Sequence, residues 1–352
     1  MEVNFLSMKK VLFLIGGRSG EHEISLISGK HVLKALDRKK FEAIIVIIQK
    51  NGVMTLANEA DLQKLPDNPK EVRTPAGETI SIRPFSFKDQ KPCILTEGKS
   101  YPFDLAFPIL HGPGGEDGTI QGLFEFANVP VVGCGVKSSA ICMDKAMTKI
   151  LCKEAELPIV PFLQLYRGEK TPELAWDFPV FVKPAHLGSS LGVSKVKTQA
   201  ALEKALAEAF ALDTKIMIEP AIDGREIEIA VFGSRDKLTA SPAGEIKCKT
   251  EFYSYDAKYV DLDAAELIYP APLEPKKLQE LQEISKAIFK TLDCNGMARI
   301  DFFYTKKGEF LLNEVNTIPG FTPISMYPKL MSLAGMSYPE LITGLIESSS
   351  KD

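Results

Sequence analysis

The sequence predicts an α/β fold of two or three domains that opens on a parallel-sheet domain. Continuous apolar runs at 10–15, 43–49 and 104–109 have the length and unbroken character of strands buried on both faces. Apolar residues at helical spacing follow glycine turns, which is the strand–turn–helix order of α/β units. Size agrees, because 352 residues with 45% hydrophobic and 25% charged side chains are more than one core holds and suit a soluble enzyme.

Charge narrows the classes of function. A formal net charge of −4, without a basic stripe or an interleaved aromatic platform, gives no footprint for nucleic acid. The first apolar run is too short for a membrane span or a signal peptide, so a cytoplasmic protein is expected. Six scattered cysteines contain no CxxC pair and read as free thiols.

In chain order, strand 10–15 leads through Gly16-Gly17-Arg18-Ser19-Gly20 into a helix in which Ile24, Ile27 or Ser28, His31 or Val32, and Ala35 or Leu36 recur at helical spacing. These glycines do not complete a dinucleotide fingerprint. Glu23, beside them, either meets a ligand ammonium or is an ordinary acidic residue of a first helical turn. The Pro-, Gly- and charge-rich stretch from about 55 to 99 reads as a short-stranded or irregular excursion. Strand 104–109 then delivers His111-Gly112-Pro113-Gly114-Gly115-Glu116-Asp117-Gly118. Four glycines in eight residues argue for backbone shaped around a ligand, or for a tight structural turn. A helix at 120–127 and the segment 129–135 close the first domain.

Residues 138–157 read as one helix that stops before Pro158, with Lys145 either reaching a phosphate or solvated. A strand ending in Lys183 runs into Pro184-Ala185-His186-Leu187-Gly188-Ser189-Ser190-Leu191-Gly192, whose N–H groups and hydroxyls can cradle phosphate. No GKS or GKT follows, so this is not the Walker pattern. Lys183 pairs with phosphate or is a solvated strand-end lysine. Helix 198–213 buries Leu202, Ala205, Leu206, Ala209 and Phe210. Strand 215–218 ends in Glu219-Pro220, an apolar edge that can hold a flat base with Glu219 beside it. In strand 225–233, Glu226 and Glu228 share a face that meets a ribose or a metal, unless ordinary strand alternation explains both.

Residues 247–259 mix four aromatics with alternating charges and read as a loop closing over a site, or as a surface loop pinned by its rings. Lys258 and Tyr259 are its functional candidates. Helix 272–292 feeds strand 296–302, and a hairpin turn at Lys307-Gly308 returns the chain through Glu314 and Asn316. Side chains two apart on a strand share a face, so Asp301, Glu314 and Asn316 offer three hard oxygen ligands to a cation such as Mg²⁺, or form a solvated polar face. A last helix is expected over 337–346.

Six segments in order resemble the D-alanine–D-alanine ligase family of the ATP-grasp superfamily. They are Glu21-His22-Glu23-Ile24-Ser25, the stretch 111–118, the loop 183–192, Tyr255-Asp256-Ala257-Lys258-Tyr259, Arg299-Ile300-Asp301-Phe302 and the stretch 313–325. The resemblance implies a three-domain ATP-grasp fold divided at 1–136, 137–225 and 226–352, a homodimer, and a role in peptidoglycan precursor synthesis. It implies ATP contacts from Lys145, Lys183, Ser190 and Lys258, adenine beside Glu219, and ribose beside Glu226. Two Mg²⁺ ions, or Mn²⁺, would be held by Asp301, Glu314 and Asn316. Glu23 would hold the ammonium of the first D-alanine, with His111 beside the same substrate, and Ser189 and Tyr259 would hydrogen-bond to Glu23. Arg299 and the Gly320 N–H would stabilise an oxyanion, and Ser325 would anchor the carboxylate of the second D-alanine. Tyrosine at 259, where depsipeptide-forming members tend to carry phenylalanine, implies an amine acceptor. The sequence departs from the family's usual pattern at Met326-Tyr327 and is weakly matched over 55–99, and His186 stands at a variable position. Another ATP-grasp ligase, or a non-enzymatic nucleotide-binding protein, is the competing reading.

Overall fold

The structure, a computed structural model, describes residues 8–86, 90–171, 173–248 and 265–349. Contacts divide the chain into two units. The first draws on 1–136, 295–297 and 318–352, and the second on 137–294 and 298–317.

In the first unit, β1 (Lys9–Gly16) is buried from Val11 to Ile15 because α1 (His22–Ala35) crosses directly after it. The turn between them requires glycine, since Gly16 has φ +88° and a Cβ there would stand 2.5 Å from the Ile48 carbonyl oxygen. β2 (Phe41–Ile48) pairs parallel with β1. β3 (Met54–Leu56), α2 (Glu59–Gln63) and β4 (Glu78–Thr79) follow, with β3 and β4 antiparallel at the sheet edge. β5 (Ser81–Arg83), β6 (Cys93–Thr96) and β7 (Lys99–Pro102) form a separate antiparallel sheet. The excursion of the sequence is therefore short-stranded. β8 (Leu105–Ile109) completes the order β4-β3-β2-β1-β8, and α3 (Thr119–Phe126) follows. Phe103 and Phe124 meet edge to face at 6.2 Å within a core that includes Leu12, Leu14 and Val46.

The second unit corrects the single helix expected over 138–157. It is broken into α4 (Val136–Met143) and α5 (Lys145–Glu154) because the Asp144 carboxylate accepts from Ala146 N–H and Met147 N–H and caps α5. β9 (Leu163–Tyr166), β10 (Val180–Pro184), β11 (Ser194–Val196), α6 (Gln199–Leu212) and β12 (Lys215–Pro220) follow, giving an antiparallel sheet in the order β11-β10-β12-β9. Leu202, Ala205, Leu206 and Ala209 of α6 pack on Val180, Val182, Ile216 and Ile218. Each of these leucines contributes about 2 kcal/mol by leaving water.

A second sheet joins β13 (Gly224–Ser234), β14 (Lys237–Cys248), β15 (Ala265–Ile268), β16 (Gly296–Thr305) and β17 (Phe310–Asn316) in the order β15-β14-β13-β16-β17. β14 extends to Cys248, so the loop expected from 247 begins as strand; its functional candidates Lys258 and Tyr259 lie outside the described residues. α7 (Pro275–Thr291) starts three residues later than expected, with proline in its first turn where no N–H is missed. The chain returns to the first unit as α8 (Met326–Leu333) and α9 (Tyr338–Ser349). α8 was not anticipated from the sequence. Its Pro328 sits in the first turn, where proline is tolerated, and Met326, Tyr327, Leu330 and Met331 are buried.

Candidate active site

Strand alternation builds one wall of a cleft in the second unit. Val180 and Val182 of β10 face the α6 core, which turns Phe181 and Lys183 to the other side. The cleft encloses about 1130 Å³, part of it open to solvent, between β10, β12, β13 and the β16–β17 hairpin. Lys145, Lys183, Ser190, Glu219, Glu226 and Glu314 all line it.

Glu219 is 2% exposed and answers two ammonium groups. Its carboxylate accepts from Lys149 through one oxygen and pairs with Lys183 through the other at 2.6 Å. Burial would raise the Glu219 pKa, but the two lysines hold it below the ordinary glutamate value. Burial likewise pulls the Lys149 ammonium down, to about 8, against the pull of Glu219. Lys183 also donates to Asn313 Oδ1 at 3.1 Å, which places its ammonium beside Glu219. Lys145 donates to the Leu187 carbonyl at 2.6 Å and stands 3.5 Å from Glu314, so it bridges the small-residue loop and β17. Ser189 and Ser190 have φ +51° and +59°, left-handed values that turn successive N–H groups toward one side, as in an anion-binding nest.

On the hairpin, Arg299 lies opposite Asn316 and Asp301 opposite Glu314, so the four side chains share one face. The Arg299 fork donates to both oxygens of Asp301 at 2.8 and 2.7 Å, and Asn316 Nδ2 donates to Asp301 Oδ2 at 3.1 Å. Arg299 also stands 3.4 Å from Glu228. Burial opposes the charge of Arg299, yet Asp301 and Glu228 outweigh it and raise its pKa. The predicted oxyanion donor and the predicted metal ligand are thus partners of each other. A small recess lined by Glu226, Glu228, Asp301, Asn313 and Glu314 adjoins them. Among the described residues no three His, Cys, Asp or Glu side chains converge as a metal cluster. The donor set is two carboxylates and an amide, and its hard oxygens, already drawing in the guanidinium cation, fit a hard metal ion.

In the first unit, Glu23 pairs with the Lys50 ammonium at 2.6 Å. Burial would raise its pKa, and the hydrogen bond from Lys50 lowers it below the usual value. The carboxylate therefore already holds an ammonium of the chain itself. His111 is buried, with Nδ1 donating to the Ile318 carbonyl at 3.0 Å and Nε2 lying 3.1 Å from Ser28 Oγ. Ser28 Oγ accepts from Phe321 N–H at 3.2 Å, which leaves its proton for His111. Glu116 accepts from Gly112 N–H at 2.6 Å and from Ile318 N–H at 3.3 Å. His111 and the glycine-rich loop thereby fix the turn that carries Gly320 and Ser325. Gly320 packs so closely that a Cβ would stand 2.6 Å from Ser325 Oγ. Ser325 Oγ accepts from Thr322 N–H at 3.0 Å and lies 2.8 Å from Thr322 Oγ1, just ahead of α8.

Lys149, Asn313 and Ser28 were missed from sequence. Lys149 had a usable signal, since it follows Lys145 by four residues and shares its helix face.

Two family models match the chain: D-ala D-ala ligase N-terminus over residues 10–134 and D-ala D-ala ligase C-terminus over residues 151–347. A D-alanine–D-alanine ligase A of Chromobacterium violaceum is 44% identical over 348 residues, covering 96% of this chain and 94% of that protein. A D-alanine–D-alanine ligase of a Thermoanaerobacter species is 45% identical over 354 residues, covering 97% and 96%. Among solved structures, the VanG D-Ala:D-Ser ligase of Enterococcus faecalis superposes with a TM-score of 0.85 at 32% identity, covering 97% of this chain and 100% of that one. The D-alanine–D-alanine ligase of Coxiella burnetii superposes with a TM-score of 0.84 at 37% identity, covering 97% and 94%. The chain therefore belongs to the D-alanine–D-alanine ligase family and has its ATP-grasp fold.

Proposed function

We propose that this chain ligates two D-alanine molecules to D-alanyl-D-alanine, a peptidoglycan precursor, at the expense of ATP. The reading rests on the β16–β17 face, where Arg299, Asp301, Glu314 and Asn316 are brought together in a chain matched by both halves of the ligase family. The carboxylate of the first D-alanine attacks the γ-phosphorus of ATP, and ADP leaves. The amine of the second attacks the resulting acyl phosphate, and phosphate leaves from the tetrahedral intermediate.

Residue roles follow from charge and position. Lys145 and Lys183 neutralise phosphate, the 189–190 turn supplies N–H donors, and Glu219 and Glu226 meet base and ribose. Mg²⁺, held by Asp301, Glu314 and Asn316, would supply further neutralisation of the transferring phosphoryl group. Arg299 and the Gly320 N–H stabilise the oxyanion, Glu23 exchanges Lys50 for a substrate ammonium, and Ser325 takes the acceptor carboxylate. His111 acts by holding the Gly320 turn. Ser189 and Tyr259 serve Glu23 at the first D-alanine and Lys258 contacts ATP, with Lys258 and Tyr259 lying outside the described residues.

Two separate sheets in the second unit favour a boundary near 225 within it, although 318–352 belong with the first unit and not with 226–317. Exposed Phe126, 83% accessible, with Phe85 edge-on at 5.6 Å and Leu123 nearby, gives a homodimer an apolar surface. The reaction is proposed to take place in the cytoplasm; separately, no helix among the described residues is long and apolar enough to cross a membrane.

The test is to incubate the protein with ATP, Mg²⁺ and D-alanine and follow phosphate release together with dipeptide. One dipeptide per ADP is expected. Product only with D-serine or D-lactate as acceptor would overturn the choice of substrate.

A further inference from the structure

His186 opens the 186–192 loop and is held between two carboxylates from different elements. Its backbone N–H donates to Asp213 Oδ2 at 2.9 Å, and Nδ1 lies 3.0 Å from both Asp213 oxygens. On the other side of the ring, Nε2 stands 3.3 Å from Asp144 Oδ2. Asp144 caps α5 and also receives Lys215 Nζ at 2.7 and 3.0 Å. The neighbouring backbone is sewn to the same elements: Lys145 N–H donates to the Ala185 carbonyl at 3.1 Å, and Ala185 N–H to the Lys215 carbonyl at 3.0 Å. Lys145 Nζ holds the Leu187 carbonyl at 2.6 Å.

A neutral imidazole donates from one nitrogen only. With Asp213 facing Nδ1 and Asp144 facing Nε2, the neutral ring turns a lone pair toward a carboxylate, whereas the imidazolium donates to both. Charge agrees, since Asp144 and Asp213 are balanced by Lys215 and a protonated His186. We propose that His186 is a proton-dependent positioning residue for nucleotide binding, its imidazolium tying the phosphate loop to Asp144 and Asp213 and releasing it on deprotonation. The inference rests on the nucleotide reading of the cleft.

The hydrogen bond toward Asp144, ahead of opposing burial, raises the His186 pKa above its ordinary 6.5. The clamp is therefore complete below the ordinary value and is lost as pH rises through the raised one, so nucleotide affinity falls on the alkaline side. Facing groups behave oppositely, because Asp144 and Asp213 are held below the usual carboxylate range and stay ionised throughout. Lys149, at about 8, titrates in the same window, which makes the difference between wild type and variant the quantity to read.

The experiment measures binding of adenylyl imidodiphosphate with Mg²⁺ by calorimetry from pH 6 to 9, for wild type and His186→Gln. At pH 6 the variant is expected to bind roughly threefold more weakly, as for a part-exposed ion pair, and the two are expected to converge by pH 9. Independently of the variant's folding, the wild-type His186 ring is titrated by NMR. Bound nucleotide is expected to raise its pKa, because coupling is reciprocal. Parallel binding profiles, or a His186 titration unmoved by nucleotide, overturn the role of His186 alone. Failure of wild type to bind the analogue overturns the nucleotide reading with it.

Discussion

Around Glu219 a buried carboxylate is matched by two lysines, and around Asp301 by a guanidinium fork, while the turn carrying Gly320 and Ser325 is held by a histidine ring, two hydroxyls and backbone N–H groups. In the cleft Lys145, Lys183 and Glu219 each have a partner within the chain, so under the proposed function a polyanionic ligand would bind by exchanging partners. The turn is different: its groups are spent on shape, and a Cβ at Gly320 would collide with Ser325. The contrast sets what a mutation costs. Removing one charge strands another in a low-dielectric site, several kcal/mol, whereas removing one hydroxyl loses a hydrogen bond worth about 1 kcal/mol.

The sharpest way to break this comparison is Arg299→Met. It leaves Asp301, 8% exposed, without the guanidinium fork that holds both its oxygens, and removes a cation 3.4 Å from Glu228. Stability is expected to fall by about 3–5 kcal/mol and turnover by at least about 10³-fold. Urea midpoints and single-turnover dipeptide formation measure the two. A variant as stable as wild type would mean that the cleft charges are not compensated pairs.

Glu219→Gln tests the same principle with an escape route. Two ammoniums lose their partner, but Lys149 is already drawn down to about 8 and can shed its proton, so a smaller cost of about 2 kcal/mol is expected near pH 7. In the unfolded chain this lysine keeps its ordinary 10.5, and in the folded variant it titrates below 8, so the unfolded state binds more protons between those values. Stability of the variant should therefore rise relative to wild type between pH 7 and 9. Denaturant melts at both pH values check it, and a constant difference would count against a Lys149 governed by Glu219.

The two regions also differ in how far sequence exposed them. The β16–β17 hairpin was legible because a period of two puts Glu314 and Asn316 on one face, and Lys307-Gly308 marks its turn. The 186–192 loop was legible as a turn from its small residues. Lys149 was not, since a lysine in a helix looks solvated until β12 is laid beside it. The break at Asp144 differs, since its cap is local, the carboxylate accepting from Ala146 and Met147 N–H two and three residues on, and only its Lys215 partner, 71 residues away, needs the fold. His111 is placed beside the substrate only by the family resemblance, and the partner that orients it, Ile318, lies 207 residues on. Local periodicity shows faces, and pairings across long separations need the fold.

Ser325→Ala brings the comparison to its mild end. The change leaves Thr322 N–H and Thr322 Oγ1 without their shared partner, in a turn that His111, Ser28 and Tyr338 continue to hold through the Ile318 carbonyl, Phe321 N–H and the Phe321 carbonyl. A stability loss of about 1 kcal/mol is expected. The functional effect should fall on one substrate: KM for the acceptor D-alanine is expected to rise about tenfold, the worth of one hydrogen bond to a charged group, with KM for ATP unchanged. Initial rates against D-alanine at saturating ATP, and against ATP at saturating D-alanine, separate the two. If KM for ATP rises in step, the turn is coupled to the charged cleft, and the division between a region held by charge and one held by shape fails.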